Sequence, residues 1–195
     1  MPNAEVDGAS ADLVVLLNED GTEAGAEDKA AAHEAPGRLH LAFSIFLFDP
    51  SGRVLLQQRA AGKALFAGLW SNSCCSHPRP GENVADAGRR RVREELGIGC
   101  DLEEVGVFAY HAHDAVSGLD ERERVHVLAG WMAGATAPVP DGREVAGFEL
   151  APFDAVLAQV RDDGSRYTPW LRPAAATVHP WWERRFGPKA RHAEP

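Results

Sequence analysis

The stretch from Ser71 to Ile98 constrains the fold of this chain more than any other segment. It reads SNSCCSHPRPGENVADAGRRRVREELGI, so a turn rich in proline and glycine leads into a helical pattern. Small or apolar residues recur with the spacing of one helical face, at Ala85, Gly88, Val92 and Leu96. Gly97 follows directly and is a typical helix stop. The pattern predicts an amphipathic helix with one buried face.

The other faces of this helix carry a cluster of charges, at Arg90, Arg91, Glu94 and Glu95. Residues three and four apart are neighbours on a helix, so Arg91 lies beside both glutamates. A carboxylate pair next to arginines suits a divalent cation bound together with an anionic ligand. A solvated helix face would also explain the charges, but the Cys-Ser-His turn just upstream favours a site.

Composition limits the kind of protein and the partners it can have. A chain of 195 residues with 45% hydrophobic residues suits one globular domain with a sizeable core. The net charge of −9 argues against a nucleic-acid partner and against an anionic membrane surface. If the substrate is an anion, the cations that bind it must be concentrated locally.

The cysteines and the apolar runs predict a cytoplasmic protein. Three cysteines are an odd number and do not form a disulfide framework. The first residues are acidic and lack the basic and apolar regions of a signal peptide. No segment approaches the 18 apolar residues of a membrane span, so we expect no membrane partner.

The order of elements predicts an α/β (α+β) fold. Strands are expected at 13–17, from Leu39 through LHLAFSIFLFD, at 53–59, at 102–111 and over VHVLAGWMA, with a strand end at 144–150. Besides the helix above, short helices are expected at 28–32 and 152–160. Strands, helix, strands, helix is typical of a mixed sandwich, and the chain has neither a dinucleotide fingerprint nor a P-loop.

Several histidines and acids are candidate metal ligands: His33, His40, His77, Glu121 and Glu123. Glu121 and Glu123 alternate on a strand, so their side chains share one side. Nitrogen and oxygen ligands together suit Mn²⁺, Zn²⁺ or Fe²⁺ better than Mg²⁺. Scattered surface residues are the alternative interpretation, and three further histidines compete as ligands: His111, His113 and His126.

Cys75 is the second candidate for chemistry. It lies two residues before His77 in a turn bounded by proline and glycine, where the pKa of a thiol can be perturbed. Its role as a nucleophile, a proton donor or a metal ligand stays open, as does that of a small buried hydrophobe. Cys74 fits that last description, and Cys100 is expected to be structural.

The stretch from Ser76 to Ile98 resembles the Nudix signature, Gly-x5-Glu-x7-Arg-Glu-U-x-Glu-Glu-x-Gly-U, where U is a bulky aliphatic residue. Seven signature positions match: Glu82, Arg90, Val92, Glu94, Glu95, Gly97 and Ile98. Ser76 replaces the leading glycine, and Arg91 replaces the first glutamate of the helix. A Nudix hydrolase needs that carboxylate in its metal cluster, so Arg91 argues against hydrolysis.

Further motifs stand in order from Leu13 to Trp170: His33-x6-His40, LHLAFSIFLF, Arg59 with Lys63, NSCCSHPRPGE, Glu121-Arg122-Glu123 and Tyr167-Thr-Pro-Trp170. Together they are similar to the type 1 isopentenyl-diphosphate isomerases of the Nudix superfamily. The resemblance implies a Nudix-like α/β/α sandwich with a mixed central sheet as a single catalytic domain at 13–183. The segments 1–12 and 184–195 are expected to be flexible tails.

The resemblance also implies the role of each site residue. It implies that the catalytic residues are Cys75, Glu123 and Tyr110, and that the substrate's diphosphate and hydrocarbon are contacted by Lys29, Arg59, Lys63, Arg91 and Trp170. It implies a Mn²⁺ or Zn²⁺ site made by His33, His40, His77, Glu121 and Glu123. It implies a second, Mg²⁺, site made by Glu95 and the backbone carbonyl of Cys75.

The implied activity is the interconversion of isopentenyl and dimethylallyl diphosphate through a carbocation-like intermediate, in isoprenoid biosynthesis. The expected partner is a small diphosphate, and the expected assembly a monomer or weak homodimer. Two alternatives are a Nudix diphosphohydrolase and a non-catalytic Nudix-like binding module. The first predicts a glutamate at position 91, and the second leaves the acids, metal ligands and cations without a purpose.

Overall fold

The computed structural model of the protein describes residues 13–132 and 137–187. The strands of these residues are β1 Leu13–Leu17, β2 Glu23–Asp28, β3 His40–Phe48, β4 Arg53–Arg59, β5 Trp70–Ser71, β6 Cys74–Ser76, β7 Cys100–Asp114, β8 Leu119–Met132 and β9 Val145–Pro152. The helices are α1 Lys29–His33, α2 Val84–Leu96, α3 Phe153–Asp162 and α4 Leu171–Phe186. The predicted N-terminal tail 1–12 and residues 188–195 of the predicted C-terminal tail lie outside the described residues.

Strand β3 is the centre of a mixed sheet. It pairs with β8 in parallel along its whole length, from His40 opposite Glu123 to Phe48 opposite Trp131. Its other edge is shared by three antiparallel partners, β1, β6 and β4. The prediction of a mixed central sheet is therefore confirmed.

Two helical layers cover the two faces of β3. Successive side chains of a strand point to opposite faces, and here Phe46 and Phe48 pack in one core with α3 and α4. Phe43, Ile45 and Leu47 pack in a second core with α2. A strand buried on both faces needs apolar residues at nearly every position, which explains its continuous hydrophobic sequence. The α/β/α sandwich is confirmed.

Helix α2 has the predicted ends and the predicted buried face. The side chain of Asn83 accepts hydrogen bonds from the backbone N–H groups of Ala85 and Asp86 at the N-terminus. Gly97 closes the helix in the left-handed conformation, with φ of 66°. Gly88 lets the helix approach the sheet, because a Cβ there would lie 2.9 Å from a methyl carbon of Leu128.

Helix α4 was not predicted. The prolines of the segment obscure it: Pro173 lies in the first turn, where no N–H is needed, but Pro180 lies inside the helix, where a proline is unfavourable. Its buried residues have helical spacing: Leu171, Ala174, Ala175, Val178, Trp181 and Trp182. The helix continues to Phe186, beyond the predicted domain end at 183.

Three smaller differences concern the strands. Strands β7 and β8 extend further than predicted and meet in a hairpin turn at 115–118. The sequence does not predict strand β2, because its side chains are mostly exposed and show no apolar pattern. The predicted short helix at 28–32 is found one residue later, as Lys29–His33.

All three cysteines are free, as the sequence predicts. Within 13–132 and 137–187, none of the helices has the length and apolar character needed to cross a membrane.

Candidate active site

Two adjoining cavities lie beside β3 and β6. The first, of about 290 Å³, is lined by residues that include Tyr110, Glu121, Glu123, Arg59 and Trp170. The second, of about 280 Å³, is lined by residues of α2 that include Arg90, Arg91 and Glu94. Six residues line both cavities: Lys29, Lys63, Cys75, Ser76, His77 and Glu144. The end of β6 and His77, which follows it, therefore lie at the boundary between the two cavities.

The sheet aligns functional side chains in a row across three strands. Tyr110 of β7 is opposite Glu123 of β8, and Glu123 is opposite His40 of β3. His77 follows β6 directly, and His33 ends the short helix α1. Strand pairing therefore brings together residues that are far apart in the sequence.

Four of the five predicted ligands of the Mn²⁺ or Zn²⁺ site meet at one point. One ligand atom from each of His33, His40, His77 and Glu123 lies within 4.8 Å of the others. The Nε2 atoms of His40 and His77 are 3.1 Å apart, and each lies near Oε1 of Glu123, at 3.4 and 2.9 Å. Nitrogen and carboxylate ligands in this number suit a transition-metal ion.

The orientation of the imidazoles also fits a metal ion. Nδ1 of His33 lies 2.6 Å from the carbonyl oxygen of Lys29, and Nδ1 of His40 lies 2.7 Å from that of Arg38. A carbonyl only accepts, so both Nδ1 atoms donate and both Nε2 atoms keep a lone pair. Nε2 of His33 is buried and has no hydrogen-bond partner among the described residues, as expected of an atom that binds a metal.

Burial and the nearby carboxylate of Glu123 determine the protonation of the histidines. Burial lowers the pKa of His33 and lowers that of His77 to about 3, so both imidazoles are neutral ligands. Burial also acts on His40, but the hydrogen bond and the charge of Glu123 outweigh it and raise the pKa of His40. A proton on His40 therefore competes with a metal ion.

Glu121, the fifth predicted ligand, lies outside this group of four. Its carboxylate contacts the hydroxyl of Tyr110, which also lies 2.8 Å from Oε2 of Glu123. Burial, and then the charge of Glu123, raise the pKa of Glu121 to about 8. Burial opposes the ionisation of Glu123 too, but hydrogen bonds with His40 and His77 lower its pKa. Tyr110 thus joins two carboxyl groups whose pKa values are shifted in opposite directions.

The three competing histidines have partners elsewhere. His111 and His113 contact the two oxygens of Asp120, at 2.8 and 2.5 Å. His126 contacts Glu104 at 3.0 Å. None of the three belongs to the group of four described above.

Cys75 lies in a pocket of hydrogen-bonding groups. Its thiol donates to Oδ1 of Asn72 at 3.0 Å and accepts from the indole N–H of Trp170 at 3.1 Å. The amide nitrogen of Asn72 donates to two backbone carbonyls, at Ile45 and Cys74, which fixes its oxygen toward the thiol. Burial raises the pKa of Cys75 to about 11, so the thiol keeps its proton.

The predicted diphosphate-binding cations lie around the two cavities. Arg59 lines the first cavity and Arg91 the second, while Lys29 and Lys63 line both. Lys29 is exposed as a whole, but desolvation of its ammonium group in the cavities, and then the charges of Lys63 and Arg91, lower its pKa. A chain of net charge −9 therefore carries a local positive cluster.

Two acids pair with these cations. Glu144 contacts Lys63 and lies 3.1 Å from Arg91. Glu95 is buried, lies 2.6 Å from Arg91, and accepts a hydrogen bond from Gln57 at 3.3 Å.

Glu144 and Asn72 were not predicted as site residues. Asn72 stands in the NSCCSH motif that the sequence singles out, whereas nothing in the sequence around Glu144 marks it.

A mixed sheet between two helical layers, with the signature helix α2 at a cation-rich cavity, places the chain in the class of Nudix-domain proteins. The sequence model of the NUDIX domain matches residues 38–171. Within this superfamily, the chain belongs to the family of the isopentenyl-diphosphate Delta-isomerases, as its relatives show.

Two curated relatives carry that name over most of their length. The one from Halorhodospira halophila (strain DSM 244 / SL1) is 46% identical over 159 residues, which are 82% of this chain and 90% of the relative. The one from Nocardia farcinica (strain IFM 10152) is 49% identical over 158 residues, 81% of this chain and 89% of the relative.

Solved structures share the fold. The crystal structure of DR0079 from Deinococcus radiodurans has a TM-score of 0.66 at 20% identity and covers 84% of this chain and 97% of its own. The MutT protein from Methanosarcina mazei Go1 has a TM-score of 0.59 at 15% identity, with coverages of 75% and 94%. At these identities the likeness concerns the fold alone.

Proposed function

We propose that this isomerase interconverts isopentenyl and dimethylallyl diphosphate with Cys75 and Glu123 as its two proton-transfer groups, in isoprenoid biosynthesis. The reaction adds a proton at one end of an allyl unit and removes a proton from the other end. Its two groups must therefore reach different carbons of one small hydrocarbon. The observation that carries the proposal is that Cys75 and Glu123 line one cavity from strands on opposite edges of β3.

Each group is equipped to hold a proton in one state and release it in another. The thiol of Cys75 donates its proton in a hydrogen bond to the side-chain oxygen of Asn72. A thiolate formed there would accept the hydrogen bond from Trp170. Hydrogen bonds from His40 and His77 lower the pKa of Glu123, and Tyr110 links it to Glu121, whose pKa is raised. Because the reaction is reversible, the two groups exchange roles between its directions.

The hydrocarbon passes through a positive charge that the cavity must tolerate. Trp170 is 3% exposed and presents an indole to the cavity. An aromatic face stabilises a desolvated cation by about 2 kcal/mol or more. The pocket must also exclude water during the reaction, because water would trap the cation.

The diphosphate is anchored by cations rather than cleaved. Lys29, Lys63 and Arg91 surround the boundary between the two cavities, which supports their assignment to the phosphate oxygens. Arg91 stands where a Nudix hydrolase has a glutamate, so a carboxylate that would activate water is lacking at that position. The hydrolase alternative is less well supported for this reason.

Divalent metals are the implied cofactors. The group of His33, His40, His77 and Glu123 fits Mn²⁺ or Zn²⁺, and Glu121 joins it if its carboxylate turns from Tyr110. Glu95 with the carbonyl of Cys75 is assigned to Mg²⁺, which requires Arg91 to leave Glu95 for the diphosphate. When bound, such ions neutralise the diphosphate and increase the acidity of Glu123.

One assay tests the proposal. Purified protein with Mg²⁺ and isopentenyl diphosphate should form the dimethylallyl isomer, detected by chromatography. Release of phosphate or pyrophosphate without isomer would favour a hydrolase, and binding without turnover would favour a non-catalytic module. The proposal includes a cytoplasmic monomer or weak homodimer without nucleic-acid or membrane partners, supported by the acidic net charge and the free cysteines.

A further inference from the structure

The turn between β7 and β8 is tied to the loop that follows β4. Oδ2 of Asp114, at the end of β7, accepts a hydrogen bond of 2.9 Å from the backbone N–H of Phe66. Asp114 is only 7% exposed. Its carboxylate also accepts from the N–H of Val116 and from the hydroxyl of Ser117, both at 3.0 Å. One side chain thus joins its own turn to a distant loop.

The backbone of Phe66 is unusual. Its φ is +50°, and among the described residues it is the one non-glycine residue with a positive φ. This left-handed conformation is unfavourable for a bulky side chain and persists only where surrounding contacts impose it. The bond from Asp114 is such a contact, because it fixes the direction of the Phe66 N–H.

The conformation of Phe66 determines where Arg59 is held. Nε of Arg59 donates to the carbonyl oxygens of Leu65 and Phe66, both at 3.2 Å, and Nη2 donates to that of Leu65 at 2.7 Å. The ring of Phe66 also meets Trp170 edge to face, with centroids 5.5 Å apart. A change of φ at Phe66 would turn these carbonyls away from the guanidinium of Arg59, which is 8% exposed.

We propose that Asp114 is a positioning residue for this reaction: it holds Phe66 in its left-handed conformation and so fixes Arg59 for the substrate's diphosphate. The inference rests on the proposed function, since it takes Arg59 as a ligand of the diphosphate. Asp114 itself does not line either cavity. Loss of the Asp114 side chain should therefore affect substrate binding more than proton transfer.

The test compares Asp114→Ala with Ser117→Ala. Both remove a hydrogen bond from the same turn, but only the first removes the bond to Phe66. Asp114→Ala should raise the KM for isopentenyl diphosphate about three- to tenfold, the effect of one misplaced hydrogen-bonding group, with kcat within about twofold. It should weaken the binding of inorganic pyrophosphate with Mg²⁺, measured by calorimetry, by a similar factor. Ser117→Ala should leave both values within about twofold.

A second pair of variants separates positioning from folding. Glycine adopts a positive φ without strain, so in the Phe66→Gly background the added Asp114→Ala change should alter KM less than twofold. If Asp114→Ala does not fold, Asp114→Ser replaces it, since a serine still caps Val116 but is too short for Phe66.

Three results would overturn the inference: equal KM values for Asp114→Ala and Ser117→Ala, a loss confined to kcat, or an undiminished effect in the Phe66→Gly background. If the wild-type protein forms no isomer but its pyrophosphate binding still depends on Asp114, the proposed function fails while the positioning role of Asp114 stands.

Discussion

The indole N–H of Trp170 lies 3.1 Å from the sulfur of Cys75 and 3.0 Å from the hydroxyl oxygen of Ser71. Trp170 directly precedes helix α4, whereas Cys75 lies on β6, so the contact joins the C-terminal layer to the sheet. An N–H aimed at the sulfur favours the thiolate, which forms whenever Cys75 gives up its proton. The edge of Trp170 therefore contacts the thiol, and its face is the part proposed to stabilise the hydrocarbon cation.

Replacing Trp170 by phenylalanine should separate these two contributions. Trp170→Phe keeps an aromatic face but removes the N–H. A hydrogen bond to a charged group contributes about 1.5–3 kcal/mol, so kcat should fall roughly ten- to a hundredfold. Trp182→Phe is the matched control, because that indole donates to the carbonyl of Gly52, away from both cavities. An unchanged kcat for Trp170→Phe would show that the N–H is not needed.

Cys75→Ala and Glu123→Gln should each reduce turnover by at least about a hundredfold, because each removes one of the two groups proposed to transfer protons. The measurement is the rate of formation of the dimethylallyl isomer, with circular dichroism to verify folding. Cys100→Ala and Glu104→Gln are matched controls that lie outside both cavities and should retain activity. A Cys75→Ala protein with near-native rate would refute the role given to the thiol.

Removal of metal should destabilise the protein. Four ligands converge with one imidazole nitrogen unpaired, so a bound ion contributes stability that chelation removes. For an ion present at about a hundredfold its Kd, Tm should fall by roughly 5–10 °C on chelation. His33→Gln should reduce this difference, and His126→Gln, whose ring contacts Glu104, should not.

The affinity of this site for metal should depend on pH. The pKa of His40 is raised by Glu123, so a proton occupies the ligand as the pH falls and must leave before metal binds. Titration with Zn²⁺ between pH 8 and pH 6 should show weaker binding at the lower pH. A Tm that does not respond to chelation at any pH would contradict the presence of a metal site.

The sequence predicts most of the core architecture because its signals are local. Strand β4 and helix α2 have clear apolar periods and strong turn or cap residues, and they appear where expected. Helix α4 has an equally clear helical spacing, but Pro173 and Pro180 within it are typical of a segment without a helix. Strand β2 has no pattern of its own and forms only because β1 pairs with it.

Less of the site than of the fold can be predicted from the sequence. Motifs identify residues such as His40 and Glu123, and strand pairing then brings them together. Partners such as Glu144 are invisible in the sequence, because their role comes from tertiary neighbours. The pairing of Tyr110 with Glu121 is of the same kind, since it depends on the register of β7 against β8.

The ion pairs of Glu144 should stabilise the folded protein at neutral pH, and acid should remove this stabilisation. Partial burial opposes its ionisation, but the hydrogen bond and charge of Lys63 and the charge of Arg91 lower the pKa of Glu144 to about 2. The pKa is lower in the folded state than the ordinary value of 4.5, so the stabilisation is complete above about pH 4.5 and is lost as the pH falls toward 2.

Glu144→Gln tests this expectation in the protein without substrate. The side chain is 27% exposed, so solvent screening reduces the contribution to about 1 kcal/mol at pH 7. Urea unfolding should therefore show the variant less stable at pH 7, with the two stability curves converging below pH 4. Glu149→Gln, on the strand β9 that follows Glu144 and with a side chain 43% exposed, should differ from wild type by less than about 0.5 kcal/mol. A constant difference between Glu144→Gln and wild type from pH 7 to pH 3 would mean that packing, and not the ion pairs with Lys63 and Arg91, accounts for the loss.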